Sequence, residues 1–310
     1  MEIKFWGVRG SIPTPISTEQ IKEKLIFLAK KKSHEKLNDN DKLREFLESL
    51  SPLDFGSIGG NTACIEINTV DKTLIMDMGS GMKPLGKYIE KHPEKYNHEF
   101  HIFLSHTHWD HISGLPFFQP AHDKKSHLKF YSPLEKLKLR LEYQQDHRFF
   151  PVGFELLKAK KSFYHLSGNN FKIDCCEITH LLQNHPGKSY AYKVQKGDKS
   201  VIYMTDLFFE SVTPEMESFC KKGDVLIFDS QFSAAEIDEK KEYGHCTGEK
   251  GVDLANAADV KKLVLFHHDP DKTDLEIQEN LQKVRAYNTT HYASGHLKIS
   301  LAYEGLKITV

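Results

Sequence analysis

The chain has 310 residues, 39% of them hydrophobic and 27% charged, and its 42 basic and 43 acidic residues leave a formal net charge of -1. That length allows one large core or two smaller ones, while the charge balance argues against a protein built to grip a long nucleic acid backbone, which is usually basic overall. No apolar run approaches the roughly eighteen residues of a membrane helix, the first residues lack a secretory signal pattern, and the five cysteines include no C-x-x-C pair and offer no thiolate metal site.

A protein of the cytoplasm without a membrane partner is therefore expected. In chain order, MEIKFWGV alternates and is rich in aromatic and β-branched residues, which predicts an opening strand, and GSIPTP breaks it. Residues 17–52 differ: they are charged and lysine-rich, with a capping box in Ser17 and Gln20 and apolar residues at helical spacing through IKEKLIFLA. NDND interrupts this pattern, and DKLREFLESL predicts a second short helix. The glycine-rich GSIGGN lacks the strand-then-helix setting of a nucleotide loop and reads as a turn.

Beyond it, NTACIEINTV, KTLIMDMG, EFHIFLSH and HLKFYSP predict strands. KLKLRLEYQQ suits a helix, although its alternation also suits a strand. FKIDCCEIT, SYAYKVQ, KSVIYMTD and DVLIFDS each read as one more strand. GEKGVDLANAADVKK predicts an amphipathic helix, KLVLFHH a buried strand, DLEIQENLQKVRAYN a helix, and LKISLAYEGLKITV closes on strand material. Many strands with helices between and after them point to a layered α/β or α+β sandwich, read as a single domain over 1–310 with the helical insertion 17–52 inside it.

With 18 histidines in the chain, position counts for more than number. In FLSHTHWDHISG, His106, His108, Asp110 and His111 lie within six positions just after an apolar strand. His185 sits in the loop QNHPGKSY, Asp206 ends VIYMTD, and His267 and His268 end VLFHH. Such donors, held on strand edges and aimed at one place, are what a metal site needs. Adjacent residues at a strand end point in opposite directions, so at most one of His267 and His268 is a ligand.

These motifs resemble the metallo-β-lactamase superfamily, whose H-x-H-x-D-H signature is met by His106, His108, Asp110 and His111. The likeness extends through FWGVRGSIPTP, GGNT, DMGSG, NHPG, FDSQF and LFHHDP, and only residues 17–52 stand outside it. It implies a four-layer αββα sandwich with a dinuclear site on one edge. His106, His108 and His185 would hold one cation, Asp110, His111 and His267 the second, and Asp206 would bridge them. The ions implied are zinc, with manganese and iron as alternatives, and a water activated between them would serve as nucleophile. The family's last ligand directly follows its strand, which favours His267 over His268. A histidine at 108 also departs from the di-iron, oxygen-reducing branch, which carries a glutamate there.

The fold alone does not choose among lactams, thioesters and phosphoesters. GHCTGEKGVDLANAADVKKLVLFHH, with His245-x-Thr247 before a helix and the last ligand strand, is similar to the phosphodiesterase branch. His245 would assist the phosphoryl transition state, with Asp110 also at the reacting centre. Asp229 would orient His245 or a ligand, Asp77 would support the metals from a turn, and Thr247 would start the helix. The expected function is hydrolysis of a small phosphodiester such as a cyclic nucleotide or cyclic phosphate. An RNA-processing endonuclease and a low-turnover metal-binding sensor or partner-binding protein are the alternatives. Long nucleic acid is disfavoured on charge, and a homodimer is left open.

Overall fold

Side-chain alternation decides the layering. The computed structural model describes residues 1–310 except 32–39, 70–71, 169 and 293–295. Its strands are β1 (Glu2–Gly7), β2 (Cys64–Asn68), β3 (Thr73–Met76), β4 (Glu99–Phe103), β5 (His127–Ser132) and β6 (Lys160–His165). There follow β7 (Asn170–Ile173), β8 (Cys176–Gln183), β9 (Ser189–Lys196), β10 (Lys199–Met204), β11 (Val225–Asp229), β12 (Lys262–Phe266), β13 (Lys298–Leu301) and β14 (Lys307–Thr309). One sheet runs β14-β1-β2-β3-β4-β5-β6 and the other β13-β12-β11-β10-β9-β8-β7. β3 to β6 are parallel, as are β10 to β13, and the remaining pairings are antiparallel.

Successive residues of a strand face opposite sides. Phe5, Ile65, Ile67, Met76 and Phe103 therefore join Tyr192, Val194, Tyr203 and Phe228 of the second sheet in the core between the sheets. Their neighbours Trp6, Cys64, Ile75, Phe100 and Ile102 face outward and are covered by the helices α4 and α6. In chain order the helices are α1 (Thr18–Lys31), α2 (Asn40–Ser49), α3 (Pro52–Phe55), α4 (Met82–Lys91), α5 (Trp109–Ile112) and α6 (Leu137–Gln144). α7 (Pro214–Cys220), α8 (Ile237–Lys240), α9 (Gly248–Ala257) and α10 (Asp274–His291) complete them. α9 packs on β11 and β12, and α10 on β13, so helices cover both outer faces and the expected αββα sandwich is the observed one.

Several local expectations change. FKIDCCEIT is the hairpin of β7 and β8, turned at Asp174 with φ 49°. KLKLRLEYQQ is helical: Leu137 and Leu141, one turn apart, are both buried. LKISLAYEGLKITV splits between the sheets, β13 closing the second and β14 returning to β1. Within residues 17–52, Ser17 and Gln20 cap α1 reciprocally at 2.8 and 3.2 Å, whereas Asn38 and Asp39 of NDND lie outside the described residues. Lys24 ties α1 down through Asp274 at 2.9 Å, a carboxylate it shares with Arg9 at 3.0 Å. Among the described residues no helix is long and apolar enough to cross a membrane.

Candidate metal centre

The parallel strands β3, β4, β10, β11 and β12 all end at one rim of the sandwich, where the two sheets open a cleft. β3 is followed by Asp77, β4 by the loop to His106, β10 by Asp206, and β12 by His267, while Asp229 ends β11. Three of these residues, Asp77, Asp206 and His267, adopt left-handed backbone angles, with φ of 60°, 53° and 60°. Asp and His tolerate that region better than most residues, but each still costs roughly 1–3 kcal/mol. The turn is what swings each side chain out of the sheet and into the cleft.

Two groups of donors share Asp206 there, His106, His108, His185 and Asp206 in one and Asp110, His111, Asp206 and His267 in the other, and a third, Asp206, Asp229, His245 and His267, overlaps the second. His111 Nε2 lies 3.2 Å from His267 Nε2, 3.2 Å from Asp110 Oδ2 and 3.3 Å from Asp206 Oδ1. His267 Nε2 lies 3.2 Å from Asp110 Oδ2 and 3.3 Å from Asp206 Oδ1. In the first group His185 Nε2 is 3.2 Å from His108 Nδ1, and Asp206 Oδ2 is 3.5 Å from His106 Nε2 and 3.7 Å from His185 Nε2.

A web of hydrogen bonds selects which nitrogen of three of the rings faces the cleft. His111 Nδ1 donates to Asp77 Oδ2 at 2.8 Å and His185 Nδ1 to the Gly244 carbonyl at 2.9 Å, so Nε2 of each carries the lone pair inward. His106 Nδ1 is engaged by the Ser105 hydroxyl at 3.0 Å. Asp77, fully buried, also accepts Ser105 N–H, Ser105 O–H and Tyr203 O–H at 2.7–2.8 Å. Ser11 N–H donates to Asp110 Oδ2 at 2.8 Å, and Thr205 O–H to Asp206 Oδ1 at 2.6 Å.

The donor set fits divalent cations. Ligand atoms about 2.0–2.1 Å from a tetrahedral zinc stand roughly 3.3 Å apart, and the contacts around His111 and His267 are 3.2–3.3 Å. His106 Nε2 is buried without a hydrogen-bond partner, as a lone pair meant for a cation would be. Charge points the same way. Burial works against ionisation of Asp110 and Asp206, yet His111 and His267 hold both well below the usual carboxylate range. His111 is raised well above the ordinary imidazole value, burial being outweighed by Asp110, Asp206 and Asp77. Burial, with His111 beside it, pushes His106 well down. Protons thus balance in the bare chain the negative charge that cations would balance.

His245 lies next to the centre, its ring 5.1 Å from His267 and 5.2 Å from His185. Its Nδ1 is bound to Asp229 Oδ2 at 2.8 Å, which leaves Nε2 for the cleft. Burial opposes its protonation, but Asp229, then Asp206 and Asp110, raise it to about 9. Thr247 caps α9, accepting Lys250 N–H. His268 points the other way: its Nε2 bonds the Ala302 carbonyl at 2.9 Å, and it stands outside both donor groups.

The sequence does not single out Ser105, Tyr203, Gly244 or Ser11, which act through contacts far apart in the chain, or Thr205, which bonds its neighbour Asp206. It also passed over Trp109 and Tyr243, which line the cavity of about 590 Å³ above the donors. Exposed aromatics beside ligands are a signal the motif could have supplied, since Trp109 stands inside it.

The family described as "Beta-lactamase superfamily domain" matches residues 84–268. A curated ribonuclease Z of Picrophilus torridus is 24% identical over 254 residues, covering 67% of this chain and 80% of that protein. Among solved structures, the metallo-beta-lactamase fold protein YhfI of Bacillus subtilis aligns with a TM-score of 0.66 at 18% identity, over 99% of this chain and 98% of that one. The short form of human tRNase Z aligns with a TM-score of 0.63 at 15% identity, over 100% and 99% of the two chains.

Proposed function

The chain belongs to the beta-lactamase superfamily, and on that premise we propose that this metal-dependent hydrolase is a phosphodiesterase. His106, His108 and His185 would hold one divalent cation and Asp110, His111 and His267 a second, with Asp206 shared. Two such cations, zinc by the donor chemistry with manganese or iron as alternatives, supply positive charge that acidifies a water and neutralises phosphoryl oxygens.

The observation that carries the reading is the Asp229–His245 pair, bonded at 2.8 Å beside both donor groups. An alkoxide leaves a phosphodiester poorly unless it is protonated as it departs. His245, held by Asp229 in one orientation and pushed up by that carboxylate against the effect of burial, is the group placed to offer that proton from Nε2. Asp110 helps to hold the reacting centre, fixed in turn by Ser11 N–H. Ser105, Asp77 and Tyr203 hold the tautomers and do not touch substrate.

The open cavity of about 590 Å³ is of a size that takes a small phosphodiester. A relative named ribonuclease Z favours a second reading on RNA. Accordingly the expectation against long nucleic acid is not retained: net charge sums the whole chain and says nothing of the rim of one cleft. A sensor with little turnover would need no proton donor beside its metals.

The test compares leaving groups. His245→Ala is expected to keep its metal content and lose about 10²-fold or more in rate on a dinucleotide, whose leaving group is a sugar hydroxyl. On bis-p-nitrophenyl phosphate, whose nitrophenolate departs without a proton, the loss should be much smaller. Equal losses on both, or none on the dinucleotide, would overturn the role of His245.

A further inference from the structure

Trp109 stands between two donors of the metal centre, His108 and Asp110, yet 82% of it is exposed. Across the same cavity Tyr243 is 64% exposed. Large aromatic rings carry the most to gain from burial, and a pair of them left open at the rim of a polar cleft marks a binding surface. Neither is on a loose segment. Trp109 begins α5, whose backbone is bonded from His111 N–H to the His108 carbonyl at 3.0 Å. Tyr243 directly precedes Gly244, whose carbonyl anchors His185, and its ring meets the buried Phe232 at 6.3 Å. The backbone at both positions is thus fixed relative to the donors, and both rings are available to a ligand.

We propose that Trp109 and Tyr243 form a subsite that stacks a nucleobase of the substrate, flanking the phosphodiester held over the donors. This rests on the phosphodiesterase reading above and narrows it to nucleotide esters. Three observations favour a base over an alkyl or acyl group. The rings are flat, rigid platforms, and every base has a π-face to set on them. Polar side chains, Thr107 and Glu242 among them, line the same cavity as the rings, where an acyl chain would find water-loving groups. Arg140 Nη1 donates to Thr107 Oγ1 at 3.0 Å and puts a guanidinium at the Trp109 side of the mouth, suited to a neighbouring phosphate or to a base face.

The chain carries its own reporter. It has two tryptophans, and Trp6 is only 9% exposed, so a change in emission on ligand binding reads Trp109. Adenosine monophosphate is expected to quench the emission of the wild type while ribose 5-phosphate, which lacks the base, leaves it unchanged; in Trp109→Phe the quenching disappears. Both adenosine monophosphate and a four-nucleotide RNA carry the base, and their relative potency tells a free nucleotide from a chain; quenching by either supports the subsite.

In turnover, the kcat/KM ratio of thymidine 5′-p-nitrophenyl phosphate over methyl p-nitrophenyl phosphate should fall roughly 5- to 150-fold in Trp109→Ala and in Tyr243→Ala, and be restored in Trp109→Tyr. Hydrolysis of both esters with no quenching and an unchanged ratio overturns the subsite and leaves the phosphodiesterase reading standing. Base-dependent quenching with no phosphodiester cleaved supports the subsite and overturns the phosphodiesterase reading instead.

Discussion

Asp77 is the residue whose replacement most directly tests how the centre is held. Its carboxylate is fully buried and accepts four donors: Ser105 N–H at Oδ1, and Ser105 O–H, Tyr203 O–H and His111 Nδ1–H at Oδ2. In Asp77→Asn one oxygen becomes an NH₂ group, which cannot accept. If the nitrogen takes the Oδ1 place, it faces Ser105 N–H and leaves that donor buried without a partner, at about 1–3 kcal/mol. If it takes the Oδ2 place, the two hydroxyls can rotate, but His111 Nδ1–H then faces an NH₂ group and loses the acceptor that fixes its ring. The surviving bonds also lose their charge assistance, worth about 0.5–1.5 kcal/mol each. Relief from burying a charge offsets part of this, which leaves a net cost of about 2–4 kcal/mol.

Denaturant unfolding of chelator-treated wild type and variant measures that cost, and elemental analysis after metal loading measures the second consequence, a roughly 10- to 100-fold weaker hold on metal. Tyr203→Phe is the control: it removes one of the four donors, should cost about 1 kcal/mol, and should leave the metal content alone. A variant Asp77→Asn within about 0.5 kcal/mol of wild type, with unchanged metal content, would show that Asp77 does not hold the centre.

Two further outcomes are expected. Because Asp206 belongs to both donor groups, Asp206→Ala should lose metal from both, whereas His108→Ala should lose it from one; elemental analysis showing Asp206→Ala with the wild-type content would sink the shared role. Far from the centre, Glu99 is bonded to Lys72, Lys129 and His101 at 2.9, 2.7 and 2.9 Å. Burial opposes its ionisation, but these partners hold it at about 2, below the ordinary 4.5. A carboxyl depressed on folding stabilises above its unfolded value and loses that contribution as pH falls toward its folded one. The wild type should therefore lose, between about pH 4.5 and 2, about 1–2 kcal/mol that Glu99→Gln does not, solvent screening having reduced the roughly 3 kcal/mol that the shift alone implies. A stability difference between the two proteins that stays constant over that range in denaturant titrations would contradict it.

How much of this was legible depends on whether a signal is local. HTHWDH gathers four donors in one turn because a strand end and a short helix supply them together, so any reading of the sequence meets them at once. His185, Asp206 and His267 were candidates by their places in a loop and at strand ends, and only the order and context of a family assigned them to particular ions. The Asp77 network was beyond reach, since Tyr203 lies 126 residues away and the bonds exist only once both sheets have formed. Elements that the sequence did not announce, or announced wrongly, follow the same rule. KKSFYH, the edge strand β6, is only partly buried and gives no clean alternation, and α4 carries Pro84 and Gly86, which mask a helix stabilised by packing on the sheet. The hairpin in FKIDCCEIT turns at a left-handed Asp174, without the glycine that would have announced it.

The left-handed residues tie these strands of argument together. At Asp77, Asp206 and His267 a glycine would relieve the backbone, and it would delete the carboxylate or imidazole that the cleft requires. The chain keeps the strained conformation, at roughly 1–3 kcal/mol each, because neighbouring bonds over-determine it. Asp77 is held by Ser105, Tyr203 and His111, and Asp206 by Thr205. His268, immediately after His267, is pinned to the Ala302 carbonyl. Local preference and global need therefore conflict at the strand ends that carry these three side chains, while the strands leading up to them obey plain alternation. That conflict is a physical reason to place the chemistry at this rim, independent of any motif.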